Sequence, residues 1–498
     1  MQEATTLIEE IKISDAWTLD EYAAITELTA TVSELKTEAG VVAPHLKGRT
    51  VWMINSTAQG GGVAEMMPKM ISIFRELDCD VRWAVINTDE ELFFSFTKRL
   101  HNMIHGIESG EVSAEEREVY ERVNRENADD FKRYVQPGDV VVIHDPQPMA
   151  MGAYIKKELG VYTIWRCHIG LDQHNTATRT AWTFLKQYAD VYDHSVFSAP
   201  EYIPDYLAGR STIICPAIDP LSHKNRELTT HKLMGILCNS HIARKHQPVL
   251  TEDFEESALR LRSDGEFADA SGQDEIGLLY RPIISQISRW DRLKGFAPLM
   301  RGFIQLKRTA ADRNNIDERH RRRLQIVRMV LAGPDPRSIQ DDPEGQEVLK
   351  EICDLYTGVD AEIQKDIGIF ALPMKSRKEN ALMVNAIQRC STVIAQNSVQ
   401  EGFGLTATEA MWKGVPVMTS RACGLRQQVR DGVDGRMVSD ADDVDQIAHV
   451  LDTMLANPHA RADWGRNGRR RATEEFLVFS QIKYWLRLLD QEVAHAHA

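Results

Sequence analysis

Cysteine is scarce in this chain: 7 of 498 residues, scattered and never spaced as a C-x-x-C pair. That pattern excludes a disulfide framework and a zinc ribbon, and makes a reducing cytoplasm the expected location. No window approaches the roughly 18 consecutive apolar residues of a membrane helix. The first 40 residues also lack a basic segment followed by an apolar stretch and a small-residue cleavage site, so neither secretion nor membrane insertion is expected. Basic charge is in deficit too: 59 Lys and Arg against 73 Asp and Glu, a net charge of −14. The deficit argues against nucleic acid or an anionic membrane as partner, although a local basic cleft could still take an anion. No internal repeat at solenoid periods is visible.

What remains is an ordinary globular composition, 43% hydrophobic and 27% charged, in a chain long enough for two or three domains. Leu19, Tyr22, Ile25 and Leu28 are spaced for one helical face. The segment from Arg49 to Asn55 reads as a buried strand running into a loop, Ser56 to Gly62, and then a helix with Val63, Met66, Met67, Met70 and Ile71 inward. The same unit recurs at Val140–His144, Tyr162–Trp165, Val191–Ser198 and Thr212–Cys215. A second series follows at Pro282–Ile287, Ile326–Ala332, Ile367–Leu372, Thr392–Ala395 and Val415–Met418, with closing helices at Asp443–Ala456 and about Phe479–Val493. Short apolar strands alternating with helices imply parallel sheets covered on both faces. Between the series, Thr251 to Glu275 carries nine acids against two arginines, and 226–280 is read as an acidic insertion or linker. The expected architecture is α/β: two doubly wound, Rossmann-like domains facing a central cleft. The expected boundaries are 1–280 for the first, 281–475 for the second, and a final helix at 476–498 that packs back on the first.

Four groups of residues carry chemistry. Glu401-Gly-Phe-Gly-Leu-Thr-Ala-Thr-Glu409 places two carboxylates eight positions apart across a strand–loop–helix junction. Gly402 and Gly404 let the backbone turn tightly, and the helix starting near Leu405 points free N–H groups and its positive dipole end into the loop, a ready anion site. Carboxylates suit polyols because each accepts from two neighbouring hydroxyls. Arg289 and Lys294 flank a turn after the first strand of the second series, where open α/β sheets bind ligands; their two cations suit a diphosphate. Gln59-Gly-Gly-Gly-Val-Ala-Glu65 could cradle a phosphate or let a sugar approach Gly61 and Gly62, but Glu65 stands where a dinucleotide fingerprint needs its last glycine. His144, Asp145, Gln147, Arg166 and His168 gather polar groups at consecutive strand ends. Two D-x-D triplets, Asp78–Asp80 and Asp440–Asp442, fall in a turn and before a helix and read as turn and capping residues, while Arg466 to Arg471 reads as a solvated helix face.

The E-x7-E set with Arg289 and Lys294 resembles the signature of family 4 retaining glycosyltransferases of the GT-B fold. The segments Asn55–Glu65, His144–Pro148, Trp165–His168, Pro216–Pro220 and Leu331–Asp335 resemble the trehalose synthase and trehalose phosphorylase branch. The resemblance runs from about residue 45 to 490, and the 226–280 segment is longer than its compact members carry. It implies transfer of an α-glucosyl group from a nucleotide-diphosphate glucose to glucose with retention, giving trehalose. It further implies Arg289 and Lys294 on the leaving diphosphate, Glu401 and His168 on the transferred glucose, Gly402, Phe403, Gly404 and Leu405 on the donor, and Glu409 on its ribose. Gly61, Gly62, Asp145, Gln147 and Arg166 are the expected substrate contacts. No cofactor and no metal is expected, since the cations already present can neutralise the diphosphate. Small sugars are the expected partners, with a homodimer left open. The alternatives are phosphorolysis of trehalose at the same anion site, or another small polyol or hydroxy-acid acceptor. A non-catalytic sugar-binding protein would not need Arg289, Lys294 and Glu401 together. An NAD-dependent oxidoreductase would need a ribose-binding acid at the end of Val81–Asn87, where only Asp89 stands near.

Overall fold

In the computed structural model, residues 7–13, 18–58, 61–108, 110–244, 253–270, 273–312, 316–335 and 343–495 are described. They form two compact units, one of 1–217 with 475–498, the other of 218–474. No helix among the described residues is long and apolar enough to cross a membrane.

The first unit is built on seven strands: β1 (Ile8–Glu10), β2 (Val51–Asn55), β3 (Val81–Ile86), β4 (Val140–His144), β5 (Tyr162–Arg166), β6 (His194–Phe197) and β7 (Ser211–Ile213). Their order is β1-β3-β2-β4-β5-β6-β7, parallel throughout except for β1, which lies antiparallel on β3. Every residue of β2 and of β4 is buried, which is why both read as unbroken apolar runs rather than alternations. The helix Val478–His495 packs on the helix Thr29–Leu46 of this same unit, with Phe479 edge-on to Tyr22 at 5.0 Å and Lys483 paired to Glu34 at 3.3 Å.

The second unit holds eight strands: β8 (Leu259–Leu261), β9 (Phe267–Asp269), β10 (Ile283–Ile287), β11 (Arg328–Pro334), β12 (Ile367–Leu372), β13 (Val393–Gln396), β14 (Val417–Ser420) and β15 (Gly435–Val438). The order is β15-β14-β13-β10-β11-β12-β8-β9, with β10 to β15 parallel and the β8–β9 hairpin antiparallel on β12. Successive side chains take opposite faces: Met329 and Leu331 of β11 join one core, Val330 and Ala332 the other.

The 226–280 segment is not a linker, and the domain boundary falls at 217/218 rather than at 280. Its helix Thr230–Asn239 packs on the helix Arg377–Cys390, and Ile236, Leu237, Ala258, Ile276 and Leu278 are buried in the second core. Three of the acids that gave it the look of an insertion, Asp264, Glu266 and Asp269, are exposed on a hairpin that extends the sheet. Residues 245–252 and 271–272 of that segment are outside the described ones.

Candidate active site

In the second unit, Lys294 and Glu401 come together. Lys294 closes a short 3-10 turn, Arg292–Lys294, capped by the Asp291 carboxylate on the Leu293 N–H at 2.8 Å. Gly295 then turns back at φ +63°, where a Cβ would lie 2.1 Å from the Asn397 carbonyl, so only glycine fits. Lys294 Nζ donates to Glu401 Oε2 at 2.7 Å, with side chains only 15% and 12% exposed. The same oxygen accepts from Ser398 Oγ at 3.0 Å and Gln396 Nε2 at 3.4 Å. A partly desolvated ion pair is thus held at the carboxyl ends of β10 and β13.

Two buried amides that the sequence reading did not single out hold these loops. Gln286, inside β10, donates to the Lys294 carbonyl at 2.7 Å and accepts from the Asn397 N–H at 2.9 Å. Gln428 donates to the carbonyls of Phe403, Gly404 (3.3 Å) and Gly424 (3.2 Å) and accepts from Thr408 Oγ1. A polar amide inside the apolar run Ile-Ile-Ser-Gln-Ile was the available signal for Gln286; nothing local distinguishes Gln428.

The glycine loop behaves as its composition suggests. Gly404 stands at φ +90° as the N-terminal flank of the helix Leu405–Trp412, with the Glu401 side chain within 3.0 Å of where its Cβ would be. Gly424 comes against Phe403, where a Cβ would lie 2.3 Å from the Phe403 Cα, and its N–H donates to the Glu401 carbonyl at 3.0 Å. Gly402 has open space on its Cβ side.

Arg289 and Glu409 do not join the pair. Arg289 is 70% exposed, its nearest carboxylate being Asp291 at 3.7 Å. Glu409 is buried on its helix, accepting from Gln388 Nε2 at 3.1 Å with Lys224 Nζ 3.7 Å away. Below it, burial pushes the Lys413 ammonium down to about 7, the Glu409 charge opposing that fall. The run Arg466–Arg471 is not simply solvated: Arg469 lies 5.0 Å over the Trp412 ring and Arg471 donates to the Gln427 carbonyl at 3.0 Å.

In the first unit, the strand ends of β4 and β5 bring His144, Asp145 and His168 together. His144 Nδ1 lies 3.0 Å from His168 Nε2 with the rings stacked 5.3 Å apart, and His144 Nε2 faces the Met53 thioether at 3.4 Å. Burial, and then the Arg166 charge, drives both imidazoles neutral, His144 to about 3 and His168 well below its ordinary value. A thioether can only accept, so His144 carries its proton on Nε2. Its Nδ1 then accepts from His168 Nε2–H, and His168 Nδ1 is left as an acceptor. Asp145 is held at φ +63°, rare for a non-glycine residue, and accepts from the His168 N–H at 2.9 Å. Burial raises its carboxyl to about 6 against the pull of that N–H and of Arg166.

Arg166 turns into the sheet. It is 1% exposed and donates to Ser198 Oγ at 3.2 Å and to the Ile214 carbonyl at 2.7 Å, tying the ends of β5, β6 and β7 together. Buried in this way, it fastens the sheet. Gln147 is partly buried, with its Oε1 unpartnered. Gly61 and Gly62 open the helix Gly61–Glu76; Gln59 and Gly60 lie outside the described residues. Both D-x-D triplets serve turns: Asp80 accepts from Thr50 and Arg82, and Asp440 from the Asp442 N–H.

Two parallel-rich α/β sheets, the second with a glycine loop at a helix start, are the architecture of the GT-B fold. The sequence model described as "Trehalose synthase, N-terminal domain" matches residues 53–204, and that of "Glycosyl transferases group 1" matches 362–471. The chain is 32% identical to a trehalose synthase of Pyrococcus horikoshii over 90% of its own length and 91% of that protein. It is 32% identical to one of Rubrobacter xylanophilus over 91% and 93%. A trehalose phosphorylase of Grifola frondosa is 24% identical over 81% of this chain and 52% of that one. Among solved structures, an alpha,alpha-trehalose 6-phosphate synthase from Burkholderia multivorans shares the fold with a TM-score of 0.63 at 16% identity, covering 90% of this chain and all of that one (100%). This chain belongs to the trehalose synthase family, and it is a trehalose-related glycosyltransferase.

Proposed function

We propose that the protein transfers an α-glucosyl group from a nucleotide-diphosphate glucose to glucose, with retention and without a metal, forming trehalose. The Lys294–Glu401 pair carries this reading, because it presents a cation and a polyol acceptor at one strand end. The donor's diphosphate binds Lys294 and the amides of Gly402 to Leu405, and Arg289 swings in from solvent onto it. Glu409 exchanges its long contact with Lys224 for the ribose hydroxyls. Glu401 accepts from hydroxyls of the transferred glucose, and His168, in the first unit, is assigned to that sugar through its Nδ1 lone pair. The acceptor hydroxyl attacks the anomeric carbon from the face the diphosphate leaves. The departing phosphate oxygen takes the acceptor's proton while Lys294 and Arg289 neutralise the developing charge.

A second reading, phosphorolysis of trehalose, is favoured by the trehalose phosphorylase relatives. One experiment separates them: a donor-by-acceptor screen that follows nucleotide diphosphate and free phosphate together, with the product's anomeric linkage read by NMR. Transfer predicts α-linked product and diphosphate release that a chelator leaves unchanged. A β-linked product, or activity abolished by the chelator and restored by magnesium, overturns the proposal.

A further inference from the structure

At the other end of the second sheet lies a cavity of about 690 Å³ that the transfer reaction does not use. Pro282, Ile326 and Thr392 line it, immediately before or within two residues of the starts of β10, β11 and β13. It therefore opens at the amino-terminal edge of the sheet, a strand's length from the loops that carry Lys294 and Glu401. A five-residue strand spans about 17 Å.

Its lining is out of character for so acidic a protein. Arg281, Arg323, Arg389 and Arg461 all face it, and no carboxylate is among its lining residues. Arg323 and Arg461 both donate to the Leu455 carbonyl, at 3.3 and 2.8 Å, so two guanidinium groups are held side by side on one helix end. Burial and then the nearby Arg323 charge lower the Arg461 pKa, as expected for like charges without an anion between them. The Arg281 Nε is buried and unpaired. Arg389 is partly neutralised by Glu227 at 2.8 Å. Beside these cations Leu279 is 42% exposed and the Tyr280 ring 62% exposed, with Arg281 5.6 Å over the ring and the Tyr280 hydroxyl donating to Glu275 at 3.3 Å.

We propose that this cavity is a second ligand site, for a small phosphate ester that carries a ring. Guanidinium groups pair with phosphate oxygens through parallel N–H bonds, and Arg323 and Arg461 are already held in place, which lowers the cost of ordering them on binding. The exposed phenol ring offers a face to a base or to the apolar side of a sugar. The volume is that of a small-molecule site, about 300–1,000 Å³, and larger than a bare ion needs. The proposal is independent of the transfer reading, since no residue is shared.

The test uses the full chain and two probes, AMP and glucose 6-phosphate, titrated by calorimetry into a Lys294→Ala enzyme so that the donor loop is disabled. Saturable binding of either probe is expected, weakened at least tenfold by Arg281→Ser with Arg323→Ser. The AMP arm identifies a nucleotide site and the glucose 6-phosphate arm a sugar-phosphate site. Binding no tighter than that of sulfate, or affinity unchanged in the doubly substituted chain, overturns the proposal. Tyr280→Trp in the otherwise native chain gives a check that does not depend on the arginines. Its added fluorescence should shift as the probe saturates, and a signal that stays flat overturns the proposal as well.

Discussion

At the carboxyl edge of the second sheet stands an ion pair: Lys294 and Glu401 meet at 2.7 Å, and serine and glutamine donors converge on the same carboxylate oxygen. At the same edge of the first sheet charge is disfavoured: two imidazoles stack neutral, and a carboxyl is raised to about 6. The difference lies in partners. Glu401 has a cation and hydrogen-bond donors in place of water, whereas His144 has a thioether and another imidazole. Groups of the first kind suit a reaction that develops charge, and groups of the second suit recognition of uncharged hydroxyls.

By that division, Lys294→Ala has the largest effect. Turnover should fall about 10²–10³-fold, as when one charge-stabilising donor is lost. Release of nucleotide diphosphate measures it, with circular dichroism confirming the fold, and a loss below tenfold breaks the assignment. Next comes His168→Ala, which removes a hydrogen-bond acceptor but no charge, and should cost about 10–100-fold in kcat/KM. An unimpaired variant takes His168 out of the site. Arg289→Ala should cost about tenfold, chiefly in donor KM, because an exposed side chain must be ordered before it helps. A loss as large as that of Lys294→Ala would place Arg289 beside it in the transition state.

The smallest effect sharpens the first unit's half of the comparison, through pH. Unfolded histidine protonates near 6.5 while folded His144 stays neutral to about 3, so the unfolded chain binds more protons and stability rises with pH across that window. Asp145 acts oppositely: the fold keeps its proton to about 6 and the unfolded chain loses it near 3.8, so stability falls as pH rises between those values. One histidine and one carboxyl therefore cancel between about pH 4 and 6. Asp145→Asn, an exchange that tolerates positive φ, should add a rise in stability of about 1.4 kcal/mol per pH unit there. Melting temperatures from pH 4 to 6 with an unchanged slope would show that Asp145 is not the opposing group.

Most of the parallel strands could be read in the chain because burial on both faces leaves an uninterrupted apolar run, as in Val140–Ile143 and Ile367–Leu372. The hairpin of β8 and β9 could not, since its strands are three residues long and lie among acids, and this displaced the domain boundary. Within the site, Lys294 and Glu401 were legible from spacing because loops after strands are where ligands bind. The inward bonds of Arg166 were not legible for a physical reason: a strand-end arginine looks the same in sequence whether it turns outward or, as here, back onto the carbonyl of a later segment. Gln428 was missed because its role depends on three carbonyls 4 to 25 residues away.

The helix Val478–His495 belongs to the first unit although the whole second unit is threaded before it. In terms of synthesis, the first unit waits for its last piece. Its sheet emerges from the ribosome early, but Trp485, Leu486 and Leu489, all buried on the final helix, come only after the second unit is out. During that interval the helix Thr29–Leu46 lacks its partner and keeps an apolar face in water. A chain stopped at residue 474 would hold a complete second unit and a first unit with an uncovered stripe, so truncation there should give aggregation rather than a smaller working enzyme.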